Sequence, residues 1–133
     1  MPPDRVVYTL RTAVASNTGG PYTTIWDRVA VSSAGTLRGV VAVSSSITSN
    51  GRTNSVEVFR QADAPSVGSN TAATVLVNPI TLSNNNAAGG GSIRAANDRV
   101  AAGDQLQLRT YADTTGPTPA FVNLTATVEV ERD

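Results

Sequence analysis

In the strand read from Phe121 to Glu131, apolar and polar residues alternate without a break from Val122 onward. Val122, Leu124, Ala126, Val128 and Val130 form one set. Asn123, Thr125, Thr127, Glu129 and Glu131 form the other. A helix would scatter both sets around its circumference, whereas an extended strand sorts them onto two opposite faces. Period-two patterning of this length demands a sheet with one dry face and one wet face. Whatever else the chain does, it must supply the partners for that strand.

The rest of the chain reads the same way in shorter pieces. Seven further strands are predicted: Val6 to Val14, Thr23 to Ser32, Thr36 to Ser44, Ser55 to Gln61, Thr74 to Val77, Ser92 to Ala95 and Gln105 to Tyr111. In the first, Val6, Tyr8, Leu10 and Thr12 share a face. In the third, Leu37, Gly39, Val41 and Val43 are expected opposite Arg38 and Val40. Pro79 breaks the fifth, and Ile80 to Leu82 pairs separately. In the seventh, Leu106 and Leu108 oppose Gln105, Gln107 and Arg109. Turn signals lie between the strands: Gly19-Gly20-Pro21, Asn50-Gly51, Ala101-Ala102-Gly103-Asp104 and Asp113 to Pro119. Asn84-Asn85-Asn86 with Gly89-Gly90-Gly91 reads as a flexible loop.

Val and Thr favour pleated surfaces, and the scarcity of Leu and Glu with no Lys at all disfavours helices. Short strands at regular spacing imply an all-β sandwich or barrel. An eight-stranded antiparallel jelly-roll-like β-sandwich fits best. An immunoglobulin-like sandwich is the rival, with Trp26 in a packing role but no cysteine pair. The 133 residues are expected to form one domain, with an extended N-terminal segment over about residues 1–5.

Composition removes most chemistry. There is no Cys, hence no disulfide, thiolate metal site or Cys nucleophile. There is no His, hence no Ser-His-Asp triad and no common zinc ligand. Ten basic and ten acidic residues cancel, leaving no field for nucleic acid or anionic lipid. No signal peptide or membrane-length apolar run is visible. Glu129 and Glu131 could form a glycosidase dyad or a cation site, and a solvated strand face is the simpler reading. Asp98 and Asp104 flank a turn without the ligand spacing of a calcium loop. Trp26 and Phe121 lie inside strand patterns and read as core. Tyr22 and Tyr111 are the two aromatics placed to form a sugar platform. No catalytic residue, metal site or cofactor is expected, and the chain is read as a non-enzymatic structural or binding module.

Four segments then fall in order: Ala34-Gly35-Thr36-Leu37-Arg38-Gly39-Val40, Val56-Glu57-Val58-Phe59-Arg60, Val100-Ala101-Ala102-Gly103-Asp104-Gln105-Leu106 and Leu124-Thr125-Ala126-Thr127-Val128. This pattern resembles the small jelly-roll domain of tailed-bacteriophage virion proteins, found on tail fibres and as capsid decoration. The resemblance spans roughly Trp26 to Arg132. It implies a capsid decoration or cement subunit on the outer head surface of the virion, bridging neighbouring major capsid proteins against internal DNA pressure. The alternative it implies is a tail-fibre or tail-tip module that binds a receptor or glycan. A homo-oligomer, dimer or trimer, is expected. Partner contacts are expected from the N-terminal segment and two loops, at Pro2, Pro3, Arg5, Arg11, Tyr22, Asn85 and Asn86. Neither nucleic acid nor membrane is an expected partner.

Overall fold

A computed structural model describes residues 4–15, 22, 24–47, 54–62, 72–83, 87–112 and 120–133. Eleven strands occur among them: β1 (Arg5–Ala15), β2 (Ile25–Ala30), β3 (Gly35–Val43), β4 (Ser46–Ile47), β5 (Asn54–Gln61), β6 (Ala73–Thr74), β7 (Ile80–Leu82), β8 (Ala88–Gly91), β9 (Arg99–Val100), β10 (Gln105–Ala112) and β11 (Phe121–Arg132). All the pairings are antiparallel. One sheet runs β1-β11-β3-β8, with β4 added to β11 and β9 added to β3. The other runs β2-β10-β5-β6, with β7 added to β5. The short strands extend longer neighbours, so the eleven pieces occupy eight places. The chain mostly changes sheet from one place to the next, which is jelly-roll connectivity. The expected eight-stranded antiparallel sandwich is therefore what the chain forms.

The core lies between the sheets. Leu10, Val40, Ala42, Leu124, Ala126 and Val128 meet Val56, Val58, Leu106 and Leu108, all at 0–1% exposure. Each such Leu or Val contributes about 1.5–3 kcal/mol by leaving water. Tyr8 closes one side. Its hydroxyl lies 2.9 Å from Ser32 Oγ and accepts a hydrogen bond from Ser32 N. The expected pairing of Leu106 with Leu108 on the dry face of β10 holds, as does that of Tyr8 with Leu10 in β1.

Three local expectations are corrected. In β3, Leu37 does not share its face with Val41 and Val43. Glu129 opposes Gly39 and Val130 opposes Leu37, so Arg38 is an unopposed bulge residue. One extra residue reverses every side chain beyond it. Val40 and Ala42 turn inward, while Val41 and Val43 stand 49% and 46% exposed. In β11 the alternation slips at its start: Phe121 and Leu124, three apart, are both buried. Asn123 lies between them at φ 49°, a left-handed conformation that Asn tolerates, and it resets the facing.

The third correction concerns the triple glycine. Ala88–Gly91 is not a loop but an edge strand paired to β3 from Val40 to Val43. The strand expected at Ser92 to Ala95 reduces to a bridge between Leu76 and Ile93, followed by a 3₁₀ turn at Ala95–Asn97. Glycine is needed there because the other sheet presses close. A Cβ at Gly91 would lie 2.9 Å from Leu76 Cδ2, and one at Gly89 would lie 2.9 Å from Ile80 Cγ2.

Candidate functional site

Among the described residues, the anticipated contacts Arg5, Arg11 and Tyr22 do not converge. Pro2, Pro3, Asn85 and Asn86 lie outside the described residues. Arg5 and Arg11 sit on β1 and face outward from the six-stranded sheet, both exposed. Arg5 forms an ion pair with Glu129. The Arg11 guanidinium has no partner among the described residues, and its backbone N–H donates to Asp27 Oδ2 at 2.9 Å. Asp27 thus covers part of the open edge of β1, a common protection for edge strands. Beside Arg11, a shallow depression of about 280 Å³ is lined by Thr12, Ala13, Asn123, Leu124 and Thr125.

Three of the carboxylates weighed as chemistry, Glu129, Glu131 and Asp104, are occupied as structure. Glu131 accepts from Arg38 Nε at 2.8 Å, beside the Arg5–Glu129 pair. Arg132 pairs with Asp4, and Arg99 with Asp133 at 2.5 Å. These four pairs gather at one end of the six-stranded sheet, with both members of each partly exposed, and contribute little stability individually. Asp104 is buried and accepts from Arg60 Nε and Ala101 N, both at 2.9 Å. It closes the turn in which Gly103 adopts φ 91°. Among the described residues no three His, Cys, Asp or Glu side chains gather into a metal-holding group.

Tyr22 is a turn residue that packs on the other sheet. Its backbone lies at φ 57°, held by its N–H donating to Thr110 O at 3.0 Å. Its hydroxyl is 2.6 Å from Ser55 Oγ, and burial pushes the phenol above its ordinary pKa. Its ring lies 6.0 Å from that of Phe59 and 6.1 Å from that of Tyr111, tilted to both. Tyr22 and Tyr111, the two aromatics marked in the sequence, are thus neighbours, with Phe59 beside them. These rings stand on the face of the five-stranded sheet turned away from the core, opposite to Val56, Val58, Leu106 and Leu108.

Arg109 is the centre of that face. Its Cζ lies 4.3 Å above the Phe59 ring. Nε and Nη2 donate to Gln107 Oε1 at 3.1 and 2.6 Å, and Nη1 donates to Tyr22 O at 3.2 Å. Gln107 in turn donates through Nε2 to Gln61 Oε1 at 2.5 Å and to Gln105 Oε1 at 3.3 Å. Burial, then the charge of Arg28, lowers the pKa of Arg109. The sequence marked Gln105, Gln107 and Arg109 as one outward set, but Phe59 and Arg28 come from β5 and β2. Only the register of three strands brings them together, with Arg28 and Phe59 both opposite Gln107.

Beside this network lies Glu57, 2% exposed. Its Oε1 accepts from Val58 N at 3.0 Å and Leu76 N at 3.2 Å, filling the gap between β6 and β7 where the ladder of β5 is interrupted. Burial pushes its carboxyl up to about 7, opposed by these N–H donors and by Arg94. Sequence reading missed Glu57 as a special group because it stood as one letter within a strand motif.

No protein-family model and no curated protein matches the chain. A solved structure titled Desmodium yellow mottle tymovirus is similar with a TM-score of 0.40 and 14% identity, covering 99% of this chain and 89% of that one.

Proposed function

We propose that this protein is a non-enzymatic virion structural subunit, a decoration or cement protein on the outer surface of a capsid. The observation that carries the reading is where the four phage-like segments fall. They occupy β3, β5, the turn into β10, and β11. β3 pairs with β11 and β5 pairs with β10, so the segments form the two central strand pairs of the jelly roll, one in each sheet. The shared pattern thus covers the part of the fold that sets its shape, rather than a scattered set of turns.

In this role the subunit bridges neighbouring major capsid proteins and resists their separation. Each contact can be modest, because a subunit held by one capsomer meets the next at high effective concentration. Formal neutrality suits a partner that is protein rather than DNA. Arg11, exposed and with its guanidinium uncommitted among the described residues, is the proposed anchor on the six-stranded sheet. Assembly as a dimer or trimer at a symmetry axis belongs to the same proposal.

Copy number in purified particles tests it. Quantitative mass spectrometry should find hundreds of copies per virion, released together with capsid protein. A handful of copies located at the tail, or none, rejects the cement role. Arg11→Ala should lower capsid occupancy while leaving the melting temperature of the free protein unchanged, and full occupancy rejects Arg11 as the anchor.

A further inference from the structure

We propose that the outward face of the five-stranded sheet, centred on Arg109, binds a carboxylate-bearing saccharide. The guanidinium is already fixed by three hydrogen bonds and by the Phe59 ring. Side-chain ordering that a ligand would otherwise have to impose is therefore in place before it arrives. The acceptors that hold it, Gln107 Oε1 and Tyr22 O, are neutral, so its charge is positioned without being cancelled. Glu57 lies opposite Arg109 in the register, yet directs its carboxylate to Val58 N and Leu76 N. Of the five N–H donors of a guanidinium, three are used among the described residues, which leaves one on each Nη for an incoming carboxylate. Arg28, exposed on the same face, adds a second cation beside the first.

The surroundings select the class of anion. Gln105, half-buried, presents an amide NH2 that can donate to a hydroxyl group while its oxygen accepts from Gln107. Tyr22 and Tyr111 present partly exposed ring surface for the apolar C–H face of a sugar. An acidic peptide fits less well. β10 is hydrogen-bonded on both sides, by β2 and β5, and β5 by β10 and by β6 and β7. No strand edge is open in the middle of this face for a peptide backbone to join. Two cations in a formally neutral chain do not suit a nucleic acid. The inference does not depend on the virion role, since a saccharide could be met on a host surface or on another particle component.

The test is a titration of the full chain with 3′-sialyllactose and with trigalacturonate, followed by calorimetry and by amide chemical shifts. Lactose and a tetraglutamate peptide are run alongside. At least one acidic saccharide should bind, shifting Arg109 and Tyr22, while lactose does not. Arg109→Gln and Arg28→Gln should each weaken binding about tenfold, the loss of one charge-assisted contact. If Arg109→Gln fails to fold, the exposed Arg28→Gln decides the matter. Absence of binding by both acidic saccharides, equal binding in the variants, or tetraglutamate binding as tightly as the sugars would overturn the proposal.

Discussion

Replacing Glu57 by Gln should flatten the pH dependence of folding stability between pH 5 and 8. Burial lifts the folded-state pKa of Glu57 from 4.5 to about 7. Folding therefore takes up a proton in that window. The stability attached to this group is fully present below pH 4.5 and is lost as pH rises through 7. A shift from 4.5 to about 7 sets a ceiling of about 3 kcal/mol, at 1.36 kcal/mol per unit. Relaxation around the charged form recovers part of it, so about 1–2 kcal/mol is the working figure. The window is clean because the chain has no His and no Cys, leaving few other groups to titrate there. In Glu57→Gln the amide oxygen can still accept from Val58 N and Leu76 N, but carries no charge. The variant should exceed the parent by about 1–2 kcal/mol at pH 8 and match it to within about 1 kcal/mol at pH 4.5. Urea unfolding followed by the fluorescence of Trp26, the sole tryptophan, measures this across the range. Parent stability that rises from pH 5 to 8, or two parallel pH curves, would refute the reasoning.

Gly35→Ala should destabilise by about 2 kcal/mol or more, because the new Cβ would lie 2.5 Å from Glu131 O, a backbone atom that cannot move aside alone. Gly39→Ala meets nothing within 4 Å and is the matched control; thermal melts should separate the two clearly. Asp104→Ala strands Ala101 N and Arg60 at a buried turn and should cost about 3 kcal/mol in chemical denaturation, with Asp104→Asn recovering part of the loss.

How much of this was legible follows from the range of the signals. β11 and β10 could be read nearly residue by residue, because burial on one face writes itself into alternation along a single strand. The bulge at Arg38 was not legible. It depends on how β3 is matched against β11, and Leu37-Arg38-Gly39-Val40 is equally good as a straight strand. The strand at Ala88–Gly91 was misread because three glycines have no facing preference of their own. Their placement is dictated by Leu76 and Ile80 from elsewhere in the chain. The saccharide face was legible only in part: Tyr22 and Tyr111 could be marked as aromatics for a sugar, but not the cations that stand beside them. Phe59, Arg28 and Arg109 stand on three strands, and nothing in their spacing along the chain announces that they meet. Arg5, Arg11 and Tyr22, expected as contacts of the N-terminal segment and a loop, lie apart, the two arginines on β1 of the six-stranded sheet and Tyr22 over the outer face of the five-stranded one.

The unopposed Arg38 gives the strand a phase. Upstream of it, odd-numbered residues are dry; downstream, even-numbered ones are. Substitutions in this segment can be graded, since each alters one side chain. Loss of a single codon at Arg38 or Gly39 would remove the bulge and leave a straight strand in which Leu37, Val40 and Ala42 still face inward, whereas loss of Val41 would push Ala42 outward and turn Val43 in. Evolution can therefore tune the outer valines of this strand freely, and can shorten the segment by one residue at the bulge, but not beyond it.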